Sequence, residues 1–65
     1  MFLRLHDANS NICVINTDNI AMLTEDEHKK TPTKIVFPGD EINYVLVQET
    51  IPEIFAKIGI ARLNS

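Results

Sequence analysis

Cysteine, histidine and basic residues are scarce in this chain of 65 residues: one Cys, two His, and six Lys or Arg against nine Asp or Glu. Each scarcity excludes something. A lone cysteine, Cys13, cannot form an internal disulfide, and two separated histidines, His6 and His28, do not make a zinc ligand quartet. A net charge of −3 with scattered basic residues argues against binding by neutralisation of phosphates, which needs clustered Lys and Arg. No run approaches the roughly 18 consecutive apolar residues of a membrane span. The opening Met1-Phe-Leu-Arg-Leu-His-Asp7 lacks the basic-then-apolar order of a secretory signal, so a cytoplasmic, reducing location is expected.

What is present is enough to fold. The hydrophobic share, 45%, is ordinary for a globular domain and too high for a disordered tail. Residues 1–65 have room for one small domain, and a chain of this size buries only about 60% of the surface its unfolded form exposes. Small domains offset such a thin core with disulfides, a metal or other subunits. The first two are excluded above, so a homo-oligomer is expected.

The chain reads as two hairpins followed by a strand-to-helix junction. Phe2-Leu-Arg-Leu-His6 is an apolar-rich strand, Asp7-Ala-Asn-Ser-Asn11 is rich in turn formers, and Ile12-Cys-Val-Ile-Asn16 is a β-branched strand apolar on both parities. Asn16-Thr-Asp-Asn19 reads as a tight turn or a single helical turn. Ile20-Ala-Met-Leu-Thr24 reads as a third strand, with a helix capped by Asn16, Thr17 or Asp18 as the alternative. Glu25-Asp-Glu27 and Lys29, Lys30 and Lys34 form a mixed charged segment, read as a solvated loop. Thr33-Lys-Ile-Val-Phe37, the turn Pro38-Gly39 and the strand Glu41–Gln48 make the second hairpin, the last strand being placed centrally in its sheet.

Thr50 through Glu53 fit a capping box, with Pro52 in the first turn where no amide donor is needed. Ile51, Ile54, Phe55 and Ile58 then recur as one apolar stripe on a helix of about two turns. Gly59 reads as its stop, in a left-handed cap with Ile60 as the apolar contact, so the core spans about 2–58 and 59–65 is a tail. The expected architecture is α+β: about five short antiparallel strands forming a bent sheet or small open barrel, with one short C-terminal helix.

This order resembles the small bacterial FlbD-like family associated with flagellar and swarming motility. The likeness covers roughly residues 2 to 58. It rests on Phe2-Leu-Arg-Leu-His-Asp7, on Ile15-Asn-Thr-Asp-Asn-Ile20 and on Tyr44-Val-Leu-Val-Gln-Glu-Thr-Ile-Pro-Glu53 with the helix to Ile58. Pro38-Gly39-Asp40 stands where that family usually has Asp-Gly or Asn-Gly, and the loop at 25–32 is longer. The resemblance implies a small β-rich fold with an interaction role and no catalytic residues. A looser likeness, to the strand-rich DNA-binding half of LytTR-type response regulators, implies a basic DNA-contacting surface that this acidic chain lacks.

Candidate sites have bland readings close at hand. Cys13 lies between Ile12 and Val14 and reads as a small apolar residue. His6 and His28 read as surface or turn histidines. Among the carboxylates, Asp7, Asp18 and Asp40 belong to turns, Glu53 to the capping box, and Glu41 and Glu49 to solvated edges. Phe2, Phe37, Tyr44 and Phe55 read as core or subunit contact, since a base-stacking platform needs a basic groove beside it. No catalytic residue, cofactor or metal is expected.

Three functions follow in order. First is a non-enzymatic, homo-oligomeric interaction or regulatory module binding a protein partner. Second is a small-molecule or nucleotide-like ligand site between subunits, with Arg4, Lys34 and Arg62 as anchors; nucleic-acid binding is last.

Overall fold

Two β-hairpins and a helix account for most of the chain, and the computed structural model describes residues 1–39 and 42–63 of it. Strands β1 (Phe2–His6) and β2 (Ile12–Asn16) pair antiparallel, with Leu3 opposite Ile15 and Leu5 opposite Cys13. Their turn is tied by Asp7, whose carboxylate accepts from the amides of Asn9 and Asn11 at 2.9 Å each. Ser10 sits in the left-handed region at φ 64°.

A single 3-10 turn, Thr17–Asn19, leads out of β2, with the Asn16 side chain accepting from the Asp18 amide at 3.1 Å. Strands β3 (Met22–Glu25), β4 (Thr33–Val36) and β5 (Tyr44–Val47) then form an antiparallel sheet in the order β3-β4-β5. The segment from Ile20 is therefore strand rather than helix, entered two residues later than the sequence suggests. The Pro38-Gly39 turn holds, with Gly39 at φ 119° and the loop closed by the Phe37 amide on the Asn43 carbonyl at 2.8 Å. Asp40 and Glu41, given turn and edge roles above, lie outside the described residues.

The architecture is α+β, as expected: five antiparallel strands in a two-stranded and a three-stranded sheet, with helix α1 (Ile51–Leu63) following. The sheets are not closed into a barrel. They meet where the Gln48 amide donates to the His6 carbonyl at 2.8 Å. Leu3, Leu5, Ile15, Ile35, Val47 and Ile54 form the core, with Cys13, Leu23, Phe37, Val45 and Ile58 against it. Each fully buried side chain of this kind contributes about 1.5–3 kcal/mol.

Four expectations are corrected. Gly59 does not end the helix: α1 is 13 residues long and passes through it to Leu63, so residues 59 to 63 are helix rather than tail. Ala61 is half-buried and continues the helical spacing of Ile51, Ile54 and Ile58, so the apolar periodicity runs past a residue of poor helix propensity. Phe55 is 61% exposed rather than core, because the helix turns Ile54 fully inward and leaves Phe55 on the flank. Strand β5 lies at an edge, since β4 pairs with both neighbours. Glu49 is buried rather than solvated.

Candidate functional site

The densest polar arrangement lies where β1, β4 and the entry to α1 converge. Glu49, between β5 and α1, turns its carboxylate onto the end of β1, accepting from the His6 amide at 2.9 Å and lying 2.7 Å from His6 Nδ1. An ionised carboxylate only accepts, so Nδ1 carries the proton that it donates to Glu49. The Glu49 carbonyl accepts from the buried Thr33 hydroxyl on β4 at 2.6 Å. Gln48 Nε2 donates to the Asp7 carbonyl at 2.7 Å and to Ser10 Oγ at 3.0 Å. One residue later the capping box closes as its sequence predicts. The Glu53 amide donates to Thr50 Oγ1 at 3.2 Å, and Glu53 Oε1 accepts from the Thr50 amide at 3.1 Å.

Electrostatically this is a satisfied joint. Burial pushes the Glu49 carboxyl up, but the His6 ring and amide hydrogen bonds outweigh it and hold the group below its ordinary value. A carboxylate that orients a histidine is also the geometry of a general base. Cys13 is not placed to serve as its nucleophile. His6 shares the outer parity of β1 with Phe2 and Arg4, while Cys13 sits on the inner parity opposite Leu5, so sheet alternation puts ring and thiol on opposite faces. Burial moreover raises the Cys13 thiol, away from the reactive thiolate.

A concavity of about 150 Å³ lies between the β3–β4 connection and the helix entry, lined by Glu25, Asp26, Pro32, Thr33, Thr50, Ile51 and Pro52. It is about half the smallest volume usual for small-molecule sites. At its rim the Asp26 amide donates to the Pro32 carbonyl at 2.8 Å, and the His28 ring and amide bind Asp26, drawing that carboxyl down.

The suspected anchors sit on three different elements. Arg4 is exposed on the outer face of β1 opposite Val14. Lys34 lies on the outer face of β4, its ammonium 4.4 Å from the centre of the Tyr44 ring. Arg62 is exposed in the last turn of α1. None of the three lines the cleft. Among the described residues no group of three or more His, Cys, Asp or Glu could hold a metal ion, and no helix is long and apolar enough to cross a membrane.

Sequence reasoning missed the His6–Glu49 joint. Its partners are 43 residues apart, and neither carries a local pattern naming the other. The nearest signal is position: Glu49 directly precedes the N-cap Thr50, where a side chain reaches back over the preceding strands. No family model, curated protein or solved structure matches this chain.

Proposed function

We propose that the chain is a small, non-enzymatic interaction module that assembles with itself and presents its remaining apolar surface to a protein partner. One observation carries this reading. Among the described residues six hydrophobic side chains are buried, while ten large ones are exposed, among them Phe2, Ile12, Val14, Tyr44, Phe55 and Leu63. Single exposed apolar residues are normal, but grouped faces mark interaction surfaces. Here they group by element. Phe2, Val14 and Ile12 share the outer face of the two-stranded sheet, and exposed Met22 and Tyr44 flank half-buried Val36 in a row across the other.

The groups capable of chemistry support the same reading, since Glu49 and His6 fasten the fold and the Cys13 thiol is shifted away from reactivity. The FlbD-like resemblance agrees with an interaction role. Light scattering on the purified chain tests the proposal, together with fluorescence of a dye that binds native apolar surface. The expected result is a mass above one chain, with dye bound to the assembly. A monomer of 7.4 kDa at every concentration that binds no dye would overturn it.

A further inference from the structure

Helix α1 has two apolar faces, and the subunit uses only one. Ile51, Ile54, Ile58 and Ala61, at steps of three and four residues, face the core, with Ile54 fully buried. Pro52, Ala56, Gly59 and Leu63, at steps of four, three and four, form a second line; Phe55 flanks it on one side and Ile60 on the other. All six are exposed. Glu53 and Lys57 separate the two faces along one border, and Arg62 along the other.

Gly59 is the informative member. Glycine in mid-helix weakens the helix through backbone entropy, and it is ordinarily kept for positive φ or for close approach of another group. Gly59 is helical, and a Cβ added there would meet nothing within 4 Å. Neither backbone conformation nor packing inside the subunit calls for glycine at this position. Close approach from outside is the remaining use.

We infer that this face is a two-fold interface between two copies of the chain, with their α1 helices antiparallel. The inference rests on the self-assembling role proposed above and names its surface. The pattern reads alike from both ends. About a midpoint between Lys57 and Ile58, Ala56 mirrors Gly59 and Pro52 mirrors Leu63. An antiparallel copy therefore sets Ala56 against the partner's Gly59, where the two backbones come closest, and Pro52 against the partner's Leu63. Such a self-complementary patch is what a two-fold contact requires.

Area agrees. Phe55, Ile60 and Leu63 are 61%, 60% and 87% exposed. Taking roughly 150–200 Å² for a large apolar side chain, these three offer about 300–400 Å². With Pro52, Ala56 and the Gly59 backbone, two copies hide on the order of 1,000 Å², the lower bound for a specific interface, so the dimer should dissociate on dilution. The two sheet faces are poorer candidates: Arg4 interrupts one and Lys34 the other, and taking a charge out of water is costly. The helix line carries no charge.

The test compares solution mass across a dilution series for the full chain and for the Ala56→Glu, Leu63→Gln and Val14→Glu variants, with far-UV circular dichroism reporting the fold. The inference expects a wild-type dimer, at least a tenfold weaker dimer for Ala56→Glu, and wild-type behaviour for Val14→Glu on the sheet face. If Ala56→Glu loses its helix signal, Leu63→Gln, at a site 87% exposed, takes its place. Wild-type assembly that survives both helix variants overturns this inference and leaves the assembling role standing. A wild-type monomer throughout overturns the assembling role as well. Orientation is read by mixing Pro52→Cys and Leu63→Cys chains, each with Cys13→Ser, under mild oxidation. The antiparallel arrangement requires cross-linked heterodimers to exceed both homodimers, and preferential homodimers overturn it.

Discussion

The two faces of α1 are both apolar and opposite in fate. One buries Ile54 completely and half-buries Ile51, Ile58 and Ala61, whereas the other leaves Phe55, Ile60 and Leu63 exposed. Apolar character alone does not explain why Phe55, Ile60 and Leu63 stay outside. The choice is made before the helix starts, at Gln48-Glu49-Thr50, which is fastened to β1 through His6, to β4 through Thr33 and to the first turn through Glu53. Those bonds fix the rotation at which the helix leaves the sheets. The face that meets the core follows from that rotation, and the other face is left for something else.

The largest effects should separate the faces directly. Ile54→Ala removes a fully buried side chain and should cost about 2–5 kcal/mol. At roughly 0.05–0.15 kcal/mol per residue, that is much of what a domain of this size has. Phe55→Ala in dilute solution should stay within about 0.5 kcal/mol, as exposed substitutions do. Urea unfolding at low protein concentration measures both, and comparable losses would erase the distinction between the faces.

Next in size is the joint that sets the rotation. Glu49→Gln presents an amide where a carboxylate accepts from His6 Nδ1, and a buried group so mismatched costs about 1–3 kcal/mol. The same bond gives a pH dependence. Because the folded-state value of Glu49 lies below its ordinary 4.5, its contribution is present above pH 4.5 and is lost as pH falls through the lowered value. Acid unfolding of Glu49→Gln should therefore be shallower in that window than that of the wild type. Parallel acid profiles would mean that the carboxylate does not hold the joint. Thr50→Ala, which removes the hydroxyl that caps the Glu53 amide, should cost about 1 kcal/mol in urea unfolding at neutral pH.

Much of the fold was legible because it is encoded locally. The Asp7 turn, the Asn16 helical turn, the Pro38-Gly39 turn and the Thr50–Glu53 capping box are each written within a few residues, and each forms as its chemistry requires. What failed was decided by tertiary contacts. Gly59 has the sequence of a helix stop, yet the helix runs on through it to Leu63 with Ala61 half-buried beyond it. Phe55 fits the apolar stripe as well as Ile54 does, and only the rotation set at Glu49 tells them apart. The β5 edge was misread for a related reason, since apolar residues on both parities also fit a strand with one face open. Of the site, the anchors Arg4, Lys34 and Arg62 came from charge alone, which gives no information about convergence.

Gly59→Ala is the smallest change and the sharpest comparison, because the two faces predict opposite signs. Within the subunit the added methyl meets open space and improves helix propensity, so the dilute monomer should gain about 0.5–1 kcal/mol. For a domain of this length that is a rise in Tm of roughly 2–8 °C. At the interface the same methyl fills the place where the second backbone comes closest, and the dimer is weakened. Since association stabilises the folded state by mass action, wild-type Tm should climb with protein concentration. The Gly59→Ala curve should start higher and climb less, so the two curves converge as concentration rises. Should the variant keep a constant advantage at every concentration, the glycine has no role between chains and the outer face of α1 must serve another partner.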